Sequence, residues 1–106
     1  VFQPHRYTRT QSLFDEFTRA FYQSDQLLVL PIYAASEAPI EGVDSRQLSD
    51  QIRAHGHKDV HHLESFETCE NFLLENLQEG DLLLTLGAGD VVRIGERMLE
   101  KLKNES

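Results

Sequence analysis

Residues 3–10, QPHRYTRT, bring one imidazole, two guanidinium groups, a phenol and two threonine hydroxyls together in eight positions. Nearly all of these groups can donate a hydrogen bond to an anion. A guanidinium offers a fixed fork of donors that matches a carboxylate or phosphate better than an ammonium does. Val1 and Phe2 favour a strand, and Pro4 biases Gln3 towards extended backbone, so a strand is expected to end at about Pro4. Thr8 and Gln11 fit a capping box, which starts a helix near Arg9. His5, Arg6 and Arg9 then stand at a strand-to-helix junction, where open parallel sheets place their ligands and where a helix start offers unpaired N–H groups. The junction suits a small anion. The competing reading is a solvated basic pair matched with Asp15 or Glu16, an ordinary surface feature.

Three further stretches hold groups that could do chemistry. Residues 34–44, AASEAPIEGVD, form a long loop leaving the carboxyl end of a strand, and Glu37 is its most notable polar group, either lining a pocket with Tyr33 or merely solvated. Residues 87–90, GAGD, lie between a strand and the last helix. Gly87 and Gly89 permit a tight turn and a close approach to a ligand, and Asp90 can cap the helix. They resemble the start of a dinucleotide fingerprint, but Val92 stands at the third glycine, and a plain strand-to-helix turn explains them as well. His55, His57, His61 and His62 lack ligand spacing with a third and fourth partner, and strand alternation sends His61 and His62 to opposite faces, so no metal site is expected. Cys69, the single cysteine, sits on an apolar helical stripe and reads as a buried, inert thiol. There is no GxxxxGK[ST] loop for ATP and no Ser-His-Asp or Cys-His arrangement, so no catalytic residue is assigned.

The elements that must position these groups follow from periodicity. A helix is expected from about Arg9 to Tyr22, with Leu13, Phe17, Ala20 and Phe21 inward. Residues 26–33, QLLVLPIY, read as a buried strand of the kind covered by helices on both faces. Asp44 caps a short helix carrying Leu48 and Ile52 and ending at Gly56, and residues 58–63 form a weaker strand. Ser65 caps a helix to about Glu79, with Phe66, Cys69, Leu73 and Leu77 inward and Gly80 as its stop. Residues 81–86, DLLLTL, read as a second buried strand, followed by a helix carrying Val91, Ile94, Met98 and Leu102. The expected fold is α/β: a Rossmann-like three-layer domain with a mainly parallel sheet and helices on both faces. Its strand ends share one edge, so HRYTR, the Glu37 loop and GAGD can converge on one crevice.

With 106 residues the chain makes one domain, and 10 Lys+Arg against 18 Asp+Glu give a net charge of -8, which argues against general binding to nucleic acid or acidic membranes. A lone cysteine fits a cytoplasmic setting. The longest apolar run, residues 27–35, is interrupted by Pro31 and too short to span a bilayer. The chain opens without Met inside an apparent strand, as expected of a piece of a longer protein.

QPHRYTRT, then YAASEAPI at residues 33–40, GVDS at 42–45 and GAGD at 87–90 resemble, in order and spacing, the C-terminal domain of the Mur ligase family, in the branch that adds L-alanine. The likeness covers nearly the whole chain, and HRYTR with YAAxEAPI is its specific part. It implies a cytoplasmic step of peptidoglycan synthesis in which ATP and Mg2+ serve to phosphorylate the carboxylate of UDP-N-acetylmuramate before the L-alanine amine attacks. It further implies N-terminal UDP-binding and central ATP-binding domains outside these residues, a missing first strand-helix unit, and no activity for residues 1–106 alone. By the HRYTR match, His5, Arg6 and Arg9 sit at the L-alanine carboxylate with Thr8 as cap and helper, while Tyr33, Glu37 and the turn of Gly87, Gly89 and Asp90 border the closed site. The related murein-peptide recycling ligase and a non-catalytic anion-binding module are the alternatives. Ser36 stands where the pattern has Gly.

Overall fold

The structure is a computed structural model that describes every residue except Tyr22, Ala88 and Ser106, with side chains described through Lys103. In chain order the elements are α1 (Tyr7–Ser12), α2 (Phe14–Phe17), β1 (Leu27–Val29), α3 (Ser45–Ala54), β2 (Val60–His62), α4 (Phe66–Asn76), a 3-10 turn (Gly89–Val91) and α5 (Val92–Glu105). β1 and β2 pair in parallel, with Leu27 opposite Val60 and Val29 opposite His62. Phe2 bridges in parallel to Val29 on one side and to Leu86 on the other. Four extended segments thus lie side by side, all parallel, in the order β2, β1, residues 1–3, residues 84–86. In chain order that is 3-2-1-4, the arrangement of a doubly wound sheet whose direction of winding reverses beside its first strand.

Strand alternation divides the core. Leu27 and Val29 join Phe2, Leu48, Ile52 and Val60 on one face, against α3 and the aromatic side chains of Phe14, Phe17 and Phe21. Leu28 and Leu30 join Cys69, Leu73, Val91, Ile94 and Met98 on the other, against α4 and α5. β1 is buried on both faces, as its near-continuous apolar sequence requires. The three-layer α/β expectation holds.

Two helix caps follow local chemistry. Asp44 accepts the amide of Gln47, and Ser65 forms a reciprocal capping box with Thr68. Gly56 takes φ 107 after α3, a conformation that suits glycine.

Elsewhere tertiary contacts override the local pattern. The helix expected over residues 9–22 starts earlier and breaks at Leu13 into α1 and α2; residues 18–21 are turns, Ala20 is exposed, and the expected end at Tyr22 lies outside the described residues. Thr8 is not the cap, because α1 already begins at Tyr7 and the cap position falls to Arg6, which makes no side-chain cap bond. α4 ends at Asn76, three residues short of Glu79. Asp90 sits inside the 3-10 turn, and Leu102 is 40% exposed.

The largest correction concerns residues 81–86. They are not a buried strand: Leu82 is 82% exposed, Leu84 59% and Leu86 48%. Their backbone bonds run to residues 1–3, with Leu86 N–H donating to Val1 O at 2.8 Å and Gln3 N–H to Leu86 O at 3.0 Å. The alternate side chain, Leu83, packs onto the α4–α5 core, so one face of this segment is covered and the other is bare.

Cys69 is fully buried, and burial pushes its thiol up to about 11. Only about a thousandth of it is then thiolate at pH 8. Cys69 is expected to resist an aromatic disulfide reagent in the native protein and to react at once in denaturant; a fast native reaction contradicts its burial.

Candidate functional site

The reversal of winding falls between residues 1–3 and residues 84–86, so the crevice above the carboxyl ends of these segments is flanked by HRYTR and GAGD. The chain leaves residues 1–3 through Pro4 and His5, and leaves β1 through Tyr33. These two exits are zipped together. Tyr33 N–H donates to Pro4 O at 2.9 Å, Arg6 N–H donates to Tyr33 O at 2.7 Å, and the His5 and Tyr33 rings stack with centroids 5.6 Å apart.

At Arg6 the backbone turns sharply, to φ 66 and ψ 144, and α1 starts at the next residue. Such a conformation is unfavourable for a residue with a β-carbon by roughly 1–3 kcal/mol. Two bonds to its carbonyl hold it in place: Thr10 N–H at 3.1 Å and the Thr10 hydroxyl at 2.7 Å. Thr10 is fully buried. It is a supporting residue that the sequence reading missed, although a threonine in a first helical turn is a known signal for back-bonding to the backbone.

Thr8 bonds across to the second exit. Its amide donates to Glu37 Oε1 at 3.2 Å and its hydroxyl to Glu37 Oε2 at 2.7 Å. The Thr8 hydroxyl bond, then the Thr8 amide, with smaller help from the Tyr7 amide and the Arg6 charge, hold the Glu37 carboxyl below its ordinary range. The loop reaching Glu37 passes through Ala35 at φ 50 and Ser36 at φ 73. Arg6, Ala35 and Ser36 are the positive-φ non-glycine residues among the described residues, and all three belong to these two facing segments. Strain gathered in one place points to a functional site.

His5, Arg6, Thr8, Tyr33 and Glu37 are therefore brought together, and Arg9 follows Thr8 in α1. Arg6 and Arg9 are exposed, and among the described residues neither guanidinium donates a hydrogen bond or closes an ion pair. The pairing with Asp15 or Glu16 that would make them ordinary surface is absent among those residues. Two guanidinium groups outside any ion pair, Arg6 on the strained turn and Arg9 in the α1 turn that follows it, are equipped to clamp an anion.

The glycine turn divides. Gly87, at φ 140, lies so close to residue 3 that an added β-carbon would meet Gln3 O at 2.6 Å. Its glycine is required by contact between two segments of the sheet. Gly89 faces open space, Asp90 turns to Arg93 at 3.6 Å, and Ala88 lies outside the described residues.

The histidines of residues 55–62 bond to separate hydroxyls and carbonyls, except that His57 and His61 both meet Asp59, His57 Nδ1 accepting the Asp59 amide at 3.2 Å. His57 meets the Ser24 hydroxyl at 2.8 Å, His61 meets Asp59, His62 meets the Ser45 hydroxyl at 2.7 Å, and His55 meets Gln51 O at 2.8 Å. Ser45, His62 and Glu64 form a line, with His62 Nδ1 3.5 Å from Glu64 Oε1, but Ser45 is buried in the first turn of α3 and closed to a substrate. Among the described residues no three His, Cys, Asp or Glu form a set that could hold a metal, and no helix is long and apolar enough to cross a membrane. Cavities of about 320 Å³ beside Gln11, Phe14 and Gln47 and of about 450 Å³ beside Leu77, Met98 and Leu99 lie away from the HRYTR turn.

The family model described as Mur ligase, glutamate ligase domain, matches residues 1–89. The UDP-N-acetylmuramate--L-alanine ligase of Desulforapulum autotrophicum is 64% identical over 102 residues, which cover 96% of this chain and 22% of that protein. The protein of the same name from Desulfosudis oleivorans is 64% identical over 99 residues, covering 93% of this chain and 22% of that protein. That from Syntrophotalea carbinolica is 57% identical over 103 residues, covering 97% and 22%. The chain spans about a fifth of the length of the curated relatives it matches.

Proposed function

Because the chain belongs to the Mur ligase, glutamate ligase domain family, we propose that it is the C-terminal, amino-acid-binding domain of a cytoplasmic ligase that joins L-alanine to UDP-N-acetylmuramate in peptidoglycan synthesis. The observation that carries this reading is the pair of exposed guanidinium groups without a hydrogen bond or ion pair among the described residues, Arg6 on the strained turn and Arg9 in the first turn of α1. The amino acid must present its amine to an activated carboxyl group, and holding its own carboxylate at two fixed forks leaves the amine free and aimed. Alanine has too small a side chain to supply that orientation itself. His5, stacked on Tyr33, is held in place directly before Arg6.

ATP and Mg2+ belong to the remainder of the full-length protein. The residues present do not fit them: the chain has no P-loop, and among the described residues no three carboxylates or histidines form a set that could hold a metal. The UDP-sugar is likewise assigned to another domain. This domain's part is to bind, orient and help exclude water, and residues 1–106 alone are proposed to be inactive.

The test is steady-state kinetics of the full-length enzyme with Arg9→Ala, varying L-alanine, ATP and UDP-N-acetylmuramate separately. Losing a charge-assisted bond costs about 1.5–3 kcal/mol, so the KM for L-alanine is expected to rise roughly tenfold to a hundredfold. The other two are expected to stay put. A rise confined to ATP would place Arg9 at the phosphates, and no change would return HRYTR to the solvated surface.

A further inference from the structure

We propose that Glu37 is the positioning residue of the amino-acid site: clamped to Thr8, its carboxylate holds the turn that aims Arg6 and Arg9. The inference rests on the reading of residues 5–9 as the amino-acid carboxylate site and adds to it a residue from a different loop.

α1 begins without a cap from its own neighbourhood, since the cap position is Arg6, whose side chain makes no such bond. The orphan donors at a helix start need an acceptor. Here one carboxylate from 29 positions downstream takes both the amide and the hydroxyl of Thr8, one on each oxygen. A two-point contact fixes the carboxylate in plane as well as in position.

The two chain segments involved are already joined at their other end by the bonds among Pro4, Arg6 and Tyr33. Residues 4–8 and 33–37 therefore form a small closed frame, and the Glu37–Thr8 contact is its far clasp. The frame holds all three strained residues, Arg6, Ala35 and Ser36. Strained backbone persists only where surrounding contacts over-determine it. With the clasp opened, Arg6 is left to its bond with Tyr33 O and the two Thr10 bonds, and the turn that carries the two guanidinium groups loses its far anchor. The clasp also settles who binds the substrate. The start of α1 is already filled by an internal anion, so the incoming carboxylate is left to the two guanidinium groups, which Glu37 does not neutralise by direct pairing.

The experiment uses the full-length enzyme with Glu37→Ala, Thr8→Val, Thr8→Ser, the double variant Glu37→Ala with Thr8→Val, and Arg9→Ala as reference. For each, kcat, the three KM values and the thermal midpoint are measured. Glu37→Ala is expected to raise the KM for L-alanine about tenfold, with the other two KM values within about twofold. Thr8→Val is expected to raise it about fivefold and Thr8→Ser, which keeps the hydroxyl, to stay near the parent. The double variant should be no worse than Glu37→Ala, because the hydroxyl then has nothing left to hold.

If Glu37→Ala leaves the L-alanine KM unchanged while Arg9→Ala raises it, the proposal is wrong and the site reading stands. Additive losses in the double variant, or a parallel rise in all three KM values with a fallen thermal midpoint, also overturn it, since they describe a structural contact without a role in aiming. If Arg9→Ala has no effect on L-alanine, both readings fall together. Should Glu37→Ala not fold, the Thr8 pair decides alone: Val and Ser indistinguishable refutes the clasp.

Discussion

Gly87→Ala is expected to destabilise the domain more than any other single methyl addition to its loops. The added β-carbon would meet the carbonyl oxygen of Gln3 at 2.6 Å, well inside contact distance, and that atom is backbone, unable to swing aside. Moving it disturbs the adjacent bond from Gln3 N–H to Leu86 O, 3.0 Å long, which joins the two segments at the reversal of the sheet. The backbone conformation at φ 140 adds a separate penalty for any residue with a side chain. About 1–3 kcal/mol from conformation and about 1–3 from overlap put the total at roughly 2–6 kcal/mol. Gly89→Ala supplies the control. Gly89 also has positive φ, at 80, but a β-carbon there meets nothing within 4 Å, so only the conformational part should appear. Urea denaturation of the two variants measures the difference. Equal losses would mean that the approach to Gln3 relaxes freely and that Gly87 is needed for its φ alone.

The second large effect is expected at Leu30, which is fully buried where β1 meets the α4–α5 layer, among Cys69, Leu73, Val91, Ile94 and Met98. Its amide donates to Phe2 O at 2.9 Å, so the backbone at that point cannot shift to close a void. Leu30→Ala should cost about 2–5 kcal/mol, the transfer of the lost carbons plus the cavity left behind. In a domain of this size that lowers the thermal midpoint by roughly 10–30 °C, and the variant sits at the edge of folding. Leu82→Ala, at a position 82% exposed, should change stability by less than about 0.5 kcal/mol. A loss at Leu30 no larger than that at Leu82 would show that the second core layer contributes little.

What the sequence made legible was whatever depends on near neighbours or on simple period. Asp44 and Ser65 announce the starts of α3 and α4, three positions from the amides they accept. The unbroken apolar run of β1 announces a strand covered on both sides. What stayed hidden depends on partners far along the chain. Thr8 reads locally as a cap, yet its hydroxyl is taken by Glu37, and no spacing rule links the two. Gly87 reads as a place for a ligand to approach, and the group that approaches is the carbonyl of Gln3. Residues 81–86 read as buried because leucine is usually buried, but an apolar run does not say that Leu83 alone among its leucines packs onto the core. The clustering of Arg6, Glu37 and Tyr33 was foreseen at the level of strand ends. The strained turns that lock it were hinted at by Ser36, which stands where the family pattern has Gly and takes φ 73.

The bare face of residues 82–86 has a consequence for how the domain behaves among copies of itself. The run LLLTL carries no charge and no proline, and three of its leucines point to solvent. Extended, uncharged and apolar, it has the composition of a segment that templates further strands, and nothing on it acts as a gatekeeper. Concentration then becomes a variable of the domain's behaviour: copies of residues 1–106 compete for the same exposed row, and their self-association is expected to rise with concentration.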